Sequence, residues 1–224
     1  GALESLGKTV TVEGLLGELL KDRIYYEKSG GGVTLSGGEP TFQPDFAEAL
    51  LRGLKAYGIS TALDTCGLCT THTLERLLPF VDLVLFDMKL LDAALHQQHT
   101  GVTNERILEN LLYIRDYIRR QEHSIDLWIR TPLIPSTTTG DANLLGIGNY
   151  LAEHVDGLLT RWELCAFNNL CREQYKRLGL EWAYAQTPLM YAEELAHCAQ
   201  VAKSSSLRPE LVHATGATRF IEIE

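Results

Sequence analysis

Gly31-Gly32-Val33-Thr34-Leu35-Ser36-Gly37-Gly38-Glu39-Pro40 reads as a short strand that ends on two glycines and an acid. Val33 and Leu35 favour extended backbone. Gly37 and Gly38 have no Cβ, so a ligand can come close to the main chain there. Pro40 keeps the residue before it out of helical geometry. The stretch predicts a bare turn with open N–H groups and one carboxylate. An ordinary strand-to-loop turn with a surface acid has the same local sequence, so the neighbouring segments must decide between the two.

Upstream, residues 10–28 predict an amphipathic helix. Val12, Leu15, Leu16, Leu19, Leu20 and Ile24 share one face, Thr11 is the cap, and Ser29-Gly30-Gly31-Gly32 ends it. Downstream, Pro44-Asp45 opens a helix with Phe46, Leu50 and Leu54 inside and Gly58 as its stop. A strand over 60–67 ends in Asp64-Thr65-Cys66-Gly67, and a brief helix spans 73–78. Val81-Asp82-Leu83-Val84-Leu85-Phe86-Asp87-Met88-Lys89 is a nearly unbroken apolar strand with charges at its end. His96 and His99 read as loop residues. Asn104 caps a helix whose inner face is Ile107, Leu111, Ile114 and Ile118. Residues 127–135 form a strand with Arg130 embedded, Asp141 caps a helix carrying Leu144, Leu145 and Leu151, and 162–168 form a fifth strand ending at Asn168. A last helix runs from about Thr187-Pro188 to Ala202.

Strands alternating with helices predict a parallel sheet. Strands this apolar are expected to be covered on both faces. A doubly wound sheet and a β/α barrel both satisfy these conditions. The strand ends favour the barrel: Glu39, Asp64, Asp87 with Lys89, Arg130 and Asn168 all sit at C-terminal ends, which in a barrel share one rim.

The chain has 224 residues, enough for one domain with a sizeable core, and a net charge of −9 with no basic patch. Nucleic-acid binding is not expected. No apolar run has the length of a membrane span. Five scattered cysteines, Cys66, Cys69, Cys165, Cys171 and Cys198, do not make a disulfide scaffold and suit a reducing, cytoplasmic compartment. Cys66 and Cys69 have metal-ligand spacing but are half a site; the other three read as packed or inert.

With these residues in hand, the chain resembles the radical S-adenosylmethionine (SAM) superfamily and, more narrowly, the activating enzymes of glycyl-radical enzymes. Ser36-Gly37-Gly38-Glu39-Pro40 resembles the family's motif for the SAM amino group, and Asp64-Thr65-Cys66-Gly67 its next strand end. Asp87-Met88-Lys89, His99-Thr100-Gly101-Val102-Thr103-Asn104 and the 130–135 segment resemble three further motifs in order. The resemblance covers nearly the whole chain. It implies a partial parallel (β/α) barrel over residues 1–224, truncated of its first strand.

The roles below are what the resemblance implies. Gly37, Gly38 and Glu39 hold the methionyl ammonium. Lys89 pairs with the carboxylate, Asp87 accepts from the ribose or orients Lys89, and Arg130 reaches the carboxylate or the peptide substrate. Asp64, Thr65 and the Leu85 carbonyl form a monovalent-cation site. Asn168 stands where a relative has histidine and bonds an adenosine hydroxyl. Arg130 and Lys89 are the candidate catalytic residues. The reaction is reductive cleavage of SAM, under anaerobic conditions, to a 5′-deoxyadenosyl radical that takes hydrogen from a glycine of a partner enzyme. A flavodoxin or ferredoxin-type protein supplies the electron.

This chemistry needs a [4Fe–4S] cluster on a Cys-x3-Cys-x2-Cys loop, and the five cysteines do not supply that spacing. Gly1-Ala2-Leu3 resembles the tail of a run that follows a ferredoxin-like insert in some members. The expectation is thus a C-terminal barrel portion whose cluster loop lies upstream, inactive by itself and prone to self-association through an open strand edge. Three other readings stay open: a different radical SAM reaction, a barrel enzyme holding Mg²⁺ on Glu39, Asp64 and Asp87, and a non-catalytic docking domain.

Overall fold

The computed structural model describes residues 7–120 and 124–219; Gly1-Ala2-Leu3 lies outside them. Among these residues six strands pair in parallel in the order β1-β2-β3-β4-β5-β6, which is also their order along the chain. They are β1 (Gly32–Leu35), β2 (Ser60–Thr65), β3 (Leu83–Asp87), β4 (Asp126–Leu133), β5 (Leu159–Ala166) and β6 (Val212–Thr215). Among the described residues β1 and β6 do not pair with each other, so the sheet is an open partial barrel.

Nine α-helices connect or flank the described strands: α1 (Val12–Leu19), α2 (Arg23–Ser29), α3 (Pro44–Ala56), α4 (Thr71–Leu77), α5 (Ala93–Thr100), α6 (Glu105–Arg120), α7 (Asp141–His154), α8 (Arg172–Arg177) and α9 (Ala192–Lys203). The predicted inner faces of α3 and α6 are largely realised. Leu50, Leu54, Ile107, Leu111, Ile114 and Ile118 are buried, and Phe46 is partly so. Thr11 caps α1, its hydroxyl accepting from Gly14 N. Gly58, with φ 69°, follows α3 in the left-handed region that glycine tolerates.

Several expectations are corrected. The helix over 10–28 is broken by a 3-10 turn at Leu20–Asp22, and Ile24 is 62% exposed because that turn rotates it off the α1 face. His96 and His99 lie on α5, and His96 is buried with Nδ1 2.8 Å from the Val102 carbonyl oxygen. Asn104 does stand at the cap position before α6, its backbone carbonyl accepting from Leu108 N, while its side-chain amide donates to the Leu90 and Leu91 carbonyls. Gly140 caps α7; Asp141 is in the first turn and pairs with His197 at 3.0 Å. The last helix starts only at Ala192, where Tyr191 and Glu194 form a capping box. A sixth strand, β6, completes the sheet.

The two faces of the sheet differ. Along β3, β4 and most of β5 buried and half-buried residues alternate. Val84, Phe86, Leu127, Ile129, Leu133, Trp162 and Leu164 face the helical layer and are essentially inaccessible. Leu85, Asp87, Trp128, Arg130, Arg161, Glu163 and Cys165 alternate with them and remain half-buried on the inner face. The expectation of cover on both faces is therefore corrected. Helices seal one side, and the other is the concave wall of an open bowl.

Candidate active site

At the C-terminal ends of β1 to β5 lies a cavity of about 440 Å³. Its lining includes Gly37, Gly38, Glu39, Asp64, Thr65, Asp87, Lys89, Arg130 and Asn168, which are all the polar positions and glycines read from the sequence. Leu85 does not line it; that residue sits beside Asp64 in the β2–β3 register. The parallel register causes the convergence, because each strand ends toward the same rim.

The β1 loop is shaped from within. Gly37 has φ 116°, a conformation L side chains rarely adopt. Glu39 Oε1 accepts from Thr41 N (3.1 Å), Thr41 Oγ1 (2.9 Å) and Thr65 Oγ1 (2.8 Å), while Oε2 accepts from Cys66 N (2.8 Å). Burial pushes the Glu39 carboxyl up, but the bonds from Cys66, Thr65 and Thr41 outweigh it and hold it below its ordinary value. Glu39 is thus first a strut between the ends of β1 and β2. Thr65 is buried; its hydroxyl donates to Glu39 and accepts from Gly67 N at 3.0 Å.

Across the wall the charges are interleaved. Lys89 Nζ donates to Asp87 Oδ2 at 2.8 Å, with each side chain a little over a quarter exposed. Arg130 Nη1 donates to Asp64 Oδ2 at 2.9 Å. Burial raises the Asp64 pKa; Arg130 opposes the shift, and Asp87 and Glu39 add to it. Burial works against the Arg130 charge too, yet Cys165, Asp64 and Asp87 raise its pKa further, so it stays protonated. Asn168 is exposed at the rim, where Oδ1 accepts from Leu170 N at 3.2 Å.

Sequence reading missed several cavity residues. Cys165 and Cys171 line the cavity rather than packing inertly elsewhere, whereas Cys198 is buried. Glu163, inside the strand predicted over 162–168, stands beside Arg130, with Oε2 3.4 Å from Nε. An aromatic strap closes one side: Trp182 stacks with Tyr175 at 5.5 Å and with Phe167 at 6.1 Å. Burial raises the pKa of Cys66, and that of Cys69 to about 11, which favours the thiol form of both. Among the described residues no three His, Cys, Asp or Glu side chains gather as a metal ion would require.

The Radical SAM superfamily model matches residues 7–144, which takes in every strand end from β1 to β4. This chain belongs to that superfamily. Within it, the chain is similar to activating enzymes. It is 35% identical over 195 residues to the choline trimethylamine-lyase activating enzyme of Oleidesulfovibrio alaskensis, covering 87% of this chain and 61% of that one. It is 33% identical to the (2S)-3-sulfopropanediol dehydratase activating enzyme of Klebsiella oxytoca, covering 81% and 55%. The pyruvate formate-lyase 2-activating enzyme of Escherichia coli is 30% identical, with 93% and 68% covered. Against the first two, the chain spans little more than half of their length. A crystal structure of a domain of pyruvate-formate lyase-activating enzyme from Bacteroides vulgatus superposes with TM-score 0.64 at 24% identity, covering 83% of this chain and 99% of that one. At that identity the likeness concerns the fold.

Proposed function

We propose that this chain forms the SAM-binding wall of a glycyl-radical enzyme activating enzyme. The convergence of five strand ends on one cavity, with an ammonium, a guanidinium and three carboxylates interleaved, carries the reading. SAM offers an ammonium, a carboxylate, a ribose and a sulfonium. The exposed Gly37-Gly38 main chain and the free side of Glu39 Oε2 suit the ammonium. Lys89 suits the carboxylate, Asp87 the ribose, and Asn168 a further hydroxyl at the rim. Arg130 lines the cavity, and its bond to Asp64 uses one of the guanidinium's five N–H groups, so the terminal nitrogens retain donors for a bound carboxylate or peptide carbonyl. The size agrees too, since cofactor cavities run from roughly 300 to 1,000 Å³.

A [4Fe–4S] cluster does not fit the cysteines of the described residues. The cluster cysteines belong, in this reading, to the part of the longer relatives that this chain does not span. When bound together, SAM and the reduced cluster supply a carbon radical able to take a hydrogen atom from a glycine. The residues here orient the methionyl end, keep water from it, and leave the mouth beside Arg130 and Asn168 for the glycine loop. The reading extends to an electron donor of flavodoxin or ferredoxin type, self-association through the β1 edge, a site in the cytoplasm and, for the isolated chain, no turnover. In the described residues no helix is long and apolar enough to cross a membrane.

The Mg²⁺ reading loses its ligands to other partners: Glu39 to four donors, Asp64 to Arg130, and Asp87 to Lys89. Calorimetric titration with SAM, with Mg²⁺ as a control, tests the proposal. Saturable SAM binding that Lys89→Met abolishes supports it; Mg²⁺ binding without SAM binding overturns it.

A further inference from the structure

Four inner-face residues of β4 and β5 form a square. The register sets Trp128 against Arg161 and Arg130 against Glu163. Within the square, the Arg161 guanidinium lies 4.7 Å from the Trp128 ring centroid, and Arg161 Nη2 is 3.2 Å from Glu163 Oε1. Glu163 Oε2 faces Arg130 Nε at 3.4 Å, too poorly aligned for a hydrogen bond. The Glu163 side chain is 15% exposed, the least of the ionised groups in the chain that runs from Asp64 through Arg130 to Arg161.

We infer that Glu163 is a positioning residue for Arg130, and that Arg161, stacked on Trp128, holds Glu163 in place for that task. An arginine on a cavity wall has several rotamers, and freezing one at the moment of binding costs about 2 kcal/mol of side-chain entropy. Asp64 fixes one end of the guanidinium. Glu163 supplies a negative charge on the opposite flank, and its off-line contact leaves Nε unbonded. The guanidinium is therefore held from two sides without its remaining donors being consumed, which is the pre-organisation that makes a binding group effective. Asp87, directly opposite Arg130 on β3, adds its charge to that side but takes its hydrogen bond from Lys89. Cys165 Sγ, 3.9 Å from Glu163 Oε2, is the other polar neighbour. Without Glu163, Arg130 and Arg161, diagonal neighbours in the register, would lose the carboxylate that lies beside both.

The inference rests on the SAM reading only for its functional consequence, and the test separates the two. In ¹⁵N-labelled protein, the Arg130 Nε–H signal, assigned through Arg130→Lys, is expected to be distinct in the native chain. It is expected to shift and broaden in Glu163→Gln, to be largely restored in Glu163→Asp, and to broaden in Arg161→Met. The SAM dissociation constant is expected to rise about tenfold in Glu163→Gln. If Glu163→Gln does not fold, Arg161→Met, which leaves the Glu163 charge in place, reads the same signal. An Arg130 signal unchanged in both variants overturns the inference. Absence of SAM binding by the native chain, with the Arg130 signal still responding to Glu163→Gln, overturns the functional reading and leaves the positioning role standing.

Discussion

Arg130, on β4, reaches past β3 to donate from Nη1 to Asp64 Oδ2, 2.9 Å away on β2. Strands lie about 4.8 Å apart, so the side chain crosses two strand spacings along the wall of the bowl. Its register neighbour on β3, Asp87, is occupied by Lys89. The two cations are thus sorted onto two acids, and the cavity has a fixed polarity before any ligand enters.

Replacing Arg130 with methionine is expected to weaken SAM binding by roughly 10- to 100-fold, the range of a lost charge-assisted hydrogen bond of about 1.5–3 kcal/mol. Arg130→Lys should recover little of it, since an ammonium cannot address Asp64 and a ligand in one plane. Equal affinities for the native chain and Arg130→Met in calorimetry would remove Arg130 from the site.

Glu39→Ala is expected to destabilise the fold by about 2–3 kcal/mol, because it leaves the donors of Thr41, Thr65 and Cys66 without their acceptor. Urea unfolding measures this directly. An effect within 0.5 kcal/mol, about what an ordinary surface substitution gives, would show that water replaces the carboxylate at no cost.

Gly37→Ala is expected to cost about 1–2 kcal/mol from backbone strain alone, since a Cβ there meets nothing within 4 Å while φ is 116°. Gly32→Ala acts by a different route. Its Cβ would lie 2.0 Å from the Ser60 carbonyl oxygen, so the β1–β2 pairing must yield. Thermal melts with amide exchange at Thr61 and Ala62 should separate them: exchange there rises in the Gly32 variant and stays native-like in the Gly37 variant.

The two acids at the neighbouring ends of β1 and β2 are shifted in opposite directions. Glu39 is shifted down, so the stability it adds is full above 4.5 and is lost as pH falls through its lower folded value. Asp64 is shifted up, so the folded state takes its proton first, and its contribution to stability declines as pH rises from 3.8 through the raised folded value. Carboxyl ¹³C titration should place Glu39 below 4.5 and Asp64 above 3.8. Finding Glu39 at or above 4.5 would contradict the hydrogen-bond assignment around it.

How much could be read in the sequence follows from what each residue's neighbours are. Strand ends such as Asp87-Met88-Lys89 stand out because a charge terminates an apolar run. The inner faces of α3 and α6 repeat at helical spacing. By contrast, β6 is four residues long with His213 and Ala214 exposed, and α5 buries only His96, so neither shows a stripe. Glu163 and Arg161 look like interruptions of an apolar strand. Only register brings them against Arg130 and Trp128, and register is not a local property of sequence. The double burial expected for the strands failed for a related reason: apolar Leu83 and Leu85 line the bowl's wall, where curvature rather than a second helical layer shelters them.

That one-sided cover divides the sheet by parity. On β3, Val84 and Phe86 are fully buried against the helices, while Leu85 and Asp87 look into the bowl. On β4, Ile129 and Thr131 do the first job and Arg130 the second. Neighbouring letters in the same strand therefore answer to separate demands, one for holding the scaffold and one for ligand choice. Rewriting only the inward letters is expected to retune what the bowl accepts at a smaller cost to the scaffold than rewriting the outward ones.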